Sequence, residues 1–252
     1  MAITIKSARE IELMRAAGLV VADVLDLMRD HVRPGITTAE LSRIAHEAIV
    51  SRGAIPSFLD YDGFPCSICT SVNAEVVHGI PSRRRLHEGD IISLDVGAIL
   101  KGYHGDAALT LPVGEVGDDA RQLIAATEGA FWAGIEQLRP GNRIGDVSAA
   151  IQEYAESRGF SLVRELSGHG IGQEMHEEPS VPNLGRPGTG LRLRAGMTLA
   201  IEPMLTVGGP ETDVLEDEWT VVTADGSLAA HYEHTVLVTD DVAVLLTARA
   251  EM

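Results

Sequence analysis

Ile11, Leu13, Met14, Ala17, Val20, Val21, Val24, Leu25 and Met28 recur at helical spacing, which predicts a long helix from about Ala8 to Val32 with a core-facing Met and Leu stripe. A second stripe follows at once, formed by Leu41, Ile44, Ala45 and Ala48. Its start is set by Thr37 with Glu40, a capping box flanked by the apolar pair Ile36 and Leu41. The period then falls to two. Ile92, Leu94 and Val96 share one face of a predicted strand while Ser93 and Asp95 take the other. From Tyr103 to Val113 the alternation continues, with Ala107, Leu109, Leu111 and Val113 opposite His104, Asp106, Ala108 and Thr110.

This order of elements repeats. Arg33-Pro34-Gly35 returns as Arg139-Pro140-Gly141 and Ser51-Arg52-Gly53 as Ser157-Arg158-Gly159, both at an offset of 106 residues, and a helix from Ala120 to Leu138 precedes the second copy. Arg85-Leu86 and Gly89 lead into one strand, Arg192-Leu193 and Gly196 into another over Met197 to Glu202, and this superposes Asp95 on Glu202. Two ααββ halves, about 7–115 and 116–245 of a single domain spanning 1–252, therefore place equivalent carboxylates near a pseudo-twofold axis. The expected class is α+β.

A hairpin turning at Leu100 and Lys101 would set Asp95 opposite Asp106, where two like charges oppose folding unless a cation or a shared proton lies between them. A second hairpin is predicted at Asp225-Gly226, joining Trp219–Thr223 to Leu228–Val238 and carrying Glu233. Glu202 ends an apolar strand just before Pro203, a poor place for an unpaired charge. His169 lies among glycines that allow close backbone approach to a ligand. Asp95, Asp106, His169, Glu202 and Glu233 together offer four carboxylates and one imidazole, a donor set suited to two divalent first-row cations.

Composition removes several other readings. With 20 basic against 37 acidic residues, the 252-residue chain has a formal charge of −17, so direct nucleic-acid binding is not expected. Arg83 to Arg85 read as a solvated loop. No apolar run approaches the ~20 residues that span a bilayer. Cys66 and Cys69 have no second pair to complete a four-cysteine zinc site and read as free thiols of a reducing cytoplasm.

Seven motifs in order make the sequence similar to the type I methionine aminopeptidases of the short bacterial form, within the pita-bread metallopeptidases. They are Asn73 to Pro81, Ser93 to Gly97, Gly105-Asp106, Gly168 to Gly172, Met175 to Pro179, Ile201 to Met204 and Glu233 to Thr235. The resemblance implies a pita-bread fold: a central curved antiparallel sheet with helices on its outer face. It implies that Asp95 chelates one metal, that Asp106 and Glu233 bridge both, and that His169 and Glu202 complete the other. His78 and His176 would contact the scissile peptide, and Glu202 would shuttle the proton. A metal-bridged hydroxide would attack the first peptide bond, releasing methionine from nascent polypeptides whose second residue is small. Two ions per chain are implied, of cobalt, manganese, iron or zinc. The methionine pocket maps onto Phe58, Tyr61, Phe64, Cys69, Met175 and Trp219, with Phe58, Phe64 and Met175 departing from the family pattern. A cytoplasmic monomer acting on nascent N-termini at the ribosome, with no membrane partner, completes the expectation. Two rivals are an Xaa-Pro peptidase, which usually carries an extra N-terminal domain, and a non-catalytic binder, which would be expected to have lost ligands.

Overall fold

The computed structural model describes residues 3–249; the ends of the 1–252 domain expectation lie outside them. Helix α1 is Ala8–His31 and α2 is Thr38–Ser51. Short strands β1 (Ile55–Pro56), β2 (Cys69–Val72) and β3 (Glu75–Val77) precede the long pair β4 (Ile91–Leu100) and β5 (Tyr103–Pro112). Helices α3 (Asp118–Ile135) and α4 (Ile144–Glu156) follow, then β6 (Ser161–Leu162), β7 (Ser167–Gly170), β8 (Glu177–Pro182), β9 (Thr198–Ile201) and β10 (Met204–Thr206). The chain closes with β11 (Thr212–Val214), β12 (Val221–Thr223), β13 (Ala229–His231), β14 (Glu233–Leu237) and β15 (Val244–Leu245).

The helix starts follow from local chemistry. Thr37 Oγ1 accepts the Glu40 N–H at 3.2 Å while the Glu40 carboxylate accepts the Thr37 N–H at 2.8 Å, the box expected from sequence. Ser7 and Glu10 form the same box at the head of α1. At the start of α4, Asp146 accepts the Arg143 N–H at 2.7 Å, which places this cap 106 residues after the one at Thr37. Isolated bridges Thr37↔Arg85 and Arg143↔Arg192 recur at nearly the same offset. No helix of the described residues is long and apolar enough to cross a membrane.

Nine strands form one antiparallel sheet whose main path runs β1-β4-β5-β14-β9-β7-β8, with β2 on β4 and β15 on β14. Val20, Val21, Val24, Leu41 and Ile49 of α1 and α2 pack with Ile92, Leu94, Val96 and Leu109 in one apolar cluster. Phe131 and Leu123 of α3, Val147 and Ile151 of α4, and Leu199, Ile201 and Val236 build a second. Both clusters lie on the helical side of the sheet, so the other side is left free for polar groups.

Two hairpin expectations need correction. The β4–β5 turn falls one residue later, at Lys101-Gly102, whose φ values of 53° and 82° are the left-handed pair a tight twisted hairpin demands. Asp95 consequently pairs with Ala108 and Asp106 with Gly97. The slip is of two residues, which preserves faces, so the acids become diagonal neighbours on one face instead of direct partners. At Asp225-Gly226 the turn forms, but β12 pairs with β11 and β3, whereas β13 pairs with β10. Asp225 accepts the N–H groups of Gly209 at 2.8 Å and Ser227 at 2.9 Å, and this fastens a crossing between two sheets rather than a hairpin.

Candidate metal centre

Each acid is delivered by its own strand. Along the order β4-β5-β14-β9-β7, Asp95 lies on the first, Asp106 on the second and Glu233 on the third, while Glu202 follows the end of the fourth and His169 lies on the fifth. Ala108 pairs with Asp95 on one side and Glu233 on the other, and its single methyl leaves the space above it open. His169 pairs with Ala200, two residues before Glu202 and on the same strand face. Thr235 locks the middle of the row, since its Oγ1 accepts the Asp106 N–H at 3.0 Å and donates to the Asp106 carbonyl at 2.9 Å.

His169 stands in a strand between β8 and β9, not in a loop. A side chain at Gly168 would reach within 2.3 Å of the Ala200 carbonyl and one at Gly170 within 2.3 Å of the Glu178 carbonyl. The glycines around His169 therefore allow neighbouring strands to close on it, in place of the ligand approach expected from sequence.

Burial makes these groups poor solitary ions. Asp106 is 3% and Glu233 2% exposed. Glu202 and Asp95 keep an edge open toward the cavity, but Asp95 Oδ1 is closed off from solvent. Desolvation raises Asp95 to about 7. It pushes Asp106, Glu202 and Glu233 well above the usual carboxylate range, and the neighbouring carboxylates push further in the same direction. Desolvation also lowers His169 to about 4, so its imidazole is neutral and a ready ligand. His78 and His176 are lowered as well, each mainly by burial.

The donor set fits divalent cations. Among the described residues, five buried side-chain polar atoms have no hydrogen-bond partner, and four of them gather here: Asp95 Oδ1, Asp106 Oδ1, Glu233 Oε1 and His231 Nε2. Buried acceptors are rarely left unpaired unless an ion or water takes them. Donor atoms of Asp106, His169 and Glu233 lie within 4.8 Å of one another, and so do those of Asp95, His231 and Glu233. His231 is the one member that the sequence reading missed. Its place two residues before Glu233, hence on the same face of extended chain, was the available signal.

A cavity of about 120 Å³ opens beside the acids, lined by all thirteen residues picked out from the sequence. Asp95, Asp106, His169, Glu202 and Glu233 share its lining with Phe58, Tyr61, Phe64, Cys69, Met175 and Trp219 and with His78 and His176. Phe58, Phe64, Cys69 and Met175 pack as a separate apolar cluster. Phe64 meets Trp219 edge-on at 5.2 Å between ring centroids. The His176 ring stands 4.3 Å from that of His169 and its Nδ1 bonds the Tyr61 hydroxyl at 2.6 Å. Cys66 and Cys69 are both free thiols, and burial raises each above its ordinary pKa.

The loop that carries Met175 and His176 is fastened by Glu177. One carboxylate oxygen accepts the N–H groups of Gln173 at 3.0 Å and Glu174 at 3.4 Å; the other accepts Lys6 Nζ at 2.5 Å and Thr4 Oγ1 at 2.7 Å. The Lys6 side chain is only 4% exposed, so this pair is far less screened than a surface bridge.

Comparison with known proteins finds relatives along nearly the whole chain. A model of metallopeptidase family M24 matches residues 12–240. The methionine aminopeptidase of Clostridium acetobutylicum is 55% identical over 246 residues, covering 97% of this chain and 98% of that protein. Methionine aminopeptidase 1 of Bacillus subtilis is 51% identical over 93% of this chain and 95% of its own length. The crystal structure of the methionine aminopeptidase of Thermotoga maritima superposes with a TM-score of 0.97 at 46% identity, covering 98% of this chain and 100% of that one.

Proposed function

The chain belongs to metallopeptidase family M24 and has the pita-bread fold, and on that premise we propose that it hydrolyses the first peptide bond of polypeptides that begin with methionine and continue with a small residue. The observation that carries the reading is the row of four carboxylates, two buried and two half-buried, and one imidazole on adjacent strands, lining a cavity shared with apolar side chains. We assign Asp95, Asp106, His169, Glu202 and Glu233 as ligands of two divalent cations, drawn from cobalt, manganese, iron or zinc. Bound there, the cations would supply Lewis acidity and a water of lowered pKa at neutral pH.

The remaining roles belong to side chains. Phe58, Phe64, Cys69, Met175 and Trp219 receive the methionine side chain, since a thioether packs well against aromatic faces and sulfur. His78 and His176 face the scissile peptide, and the Tyr61 hydroxyl fixes the orientation of the His176 ring. Glu202, with an edge open to the cavity, carries a proton from water to the leaving nitrogen. Residues 7–115 and 116–245 act as two related halves of one catalytic domain.

We place this activity in the cytoplasm, on nascent N-termini at the ribosome, with the protein working as a monomer. Two free cysteines support the compartment. Incubating the enzyme with a Met-Ala-Ser peptide and with an Ala-Pro peptide tests the reading. Release of methionine from the first, abolished by chelation and restored by added divalent salt, is the expected result. Hydrolysis of the second alone would replace the assignment with that of an Xaa-Pro peptidase.

A further inference from the structure

His231 is absent from the lining of that cavity, yet its ring nitrogen lies within 4 Å of two of the proposed ligands. It is 2% exposed, at the end of β13 just before Glu233. One hydroxyl holds its backbone on both sides: Thr110 Oγ1 donates to the His231 carbonyl at 2.9 Å and accepts its N–H at 2.9 Å. Ser93 Oγ holds that hydroxyl in turn at 2.8 Å. The ring Nε2 lies 3.7 Å from Glu202 Oε2 and 3.7 Å from Glu233 Oε2, and it has no hydrogen-bond partner. An unpaired buried ring nitrogen so placed calls for an explanation.

We propose that His231 is a positioning residue of the cation centre, whose Nε2–H stands against the carboxylates of Glu202 and Glu233, closes the 3.7 Å gaps when cations draw that pair together, and fixes how the pair faces the cations. Both groups in reach are acceptors when ionised, so a proton on Nε2 is the arrangement that satisfies them. Residues that hydrogen-bond metal-binding carboxylates orient them and tune their affinity. His169 lines the cavity and His231 does not, so we read the second imidazole as a support for the carboxylates, with a ring nitrogen also within 4.8 Å of donor atoms of Asp95 and Glu233. The inference rests on the assignment of the acids as cation ligands.

The test uses the full chain freed of metal, titrated calorimetrically with Mn(II), together with the visible spectrum of its Co(II) form. His231→Leu removes the donor and is expected to weaken cation binding about 10- to 100-fold. His231→Gln carries an N–H of similar reach and is expected to restore binding to within a few-fold, with Co(II) bands in the wild-type positions. Should His231→Leu fail to fold by circular dichroism, His231→Asn, polar but too short to reach both carboxylates, takes its place with the same expected weakening. Leu and Asn variants that bind as tightly as wild type would overturn the proposal, as would Co(II) bands that move in His231→Gln and so reveal a lost nitrogen ligand. Wild-type protein that takes up no cation, like an Asp106→Asn control, would sink the centre itself; binding by wild type and His231→Leu alike sinks only the role of His231.

Discussion

Strands β4 and β5 present two faces of opposite character. Toward α1 and α2, Ile92, Leu94, Val96, Ala98, Ala107, Leu109 and Leu111 are closed from solvent and join one apolar cluster. Toward the cavity, the same strands carry Ser93, Asp95, Gly97, His104, Asp106, Ala108 and Thr110. Each Å² of apolar surface buried on the first face contributes about 25 cal/mol to folding. On the second, desolvation first and the neighbouring carboxylates next push Asp106 well above the usual carboxylate range. Stability is thus supplied on one side of the sheet and consumed on the other by an arrangement that only cations or protons relieve.

Substitutions should separate the faces. Asp106→Asn is expected to lower turnover of Met-Ala-Ser roughly 10²- to 10³-fold or more, while thermal melts of the chelated variant stay at or above wild type because the amide replaces a buried acid whose ionisation the site opposes. His169→Ala should lose activity in the same way without unfolding. Leu94→Ala, one residue from Asp95 but on the other face, should cost about 2–5 kcal/mol in denaturant titrations. Its turnover per folded molecule should stay within a few-fold of wild type. A Leu94→Ala enzyme that is stable but inactive would erase the distinction between the two faces.

Cation uptake gives a third measurement. Burial raises Asp95 to about 7 and pushes Asp106, Glu202 and Glu233 well above the usual carboxylate range, so at neutral pH the cation-free centre holds protons that ordinary carboxylates would have released. Binding must expel them; affinity therefore rises with pH, about tenfold per unit for each proton displaced. Calorimetry in two buffers of different ionisation enthalpy should show at least one proton released per chain near pH 7. The smallest effect is expected at Gly97. A Cβ there would come within 2.7 Å of the Ser57 Cβ and 2.9 Å of the Phe58 ring, so Gly97→Ala should shift Phe58 and raise KM for methionyl peptides several-fold with less change in kcat.

Much of this was legible because local rules set it. Period 3.6 located α1 to within a residue, since Met14, Ala17, Val20, Val21, Val24, Leu25 and Met28 of its apolar stripe are buried. Period two assigned Asp95 and Asp106 to the polar face, and a register error of two could not disturb that. The Asp225-Gly226 reading failed because turn chemistry specifies a reversal but not the strand that then accepts the ladder; β12 is flanked by β11, just before it in the chain, and by β3, far back along it. His231 was passed over although Glu233 was chosen, and Lys6 with Glu177 gave no local signal across 171 residues. The apolar part of the cavity lining came from family resemblance alone, because Phe58 and Met175 meet only in the folded chain.

The Lys101-Gly102 reversal determines more than a bend. Because side chains alternate, the number of residues between the two long strands acts as an odd-or-even code for everything after it. One residue added or removed there would turn Leu109 and Leu111 into the catalytic hollow and press Asp106 against the helices. Two would merely slide the acid along its row, by about 7 Å of strand rise. Lineages and designers that alter this connection can therefore be expected to do so by pairs.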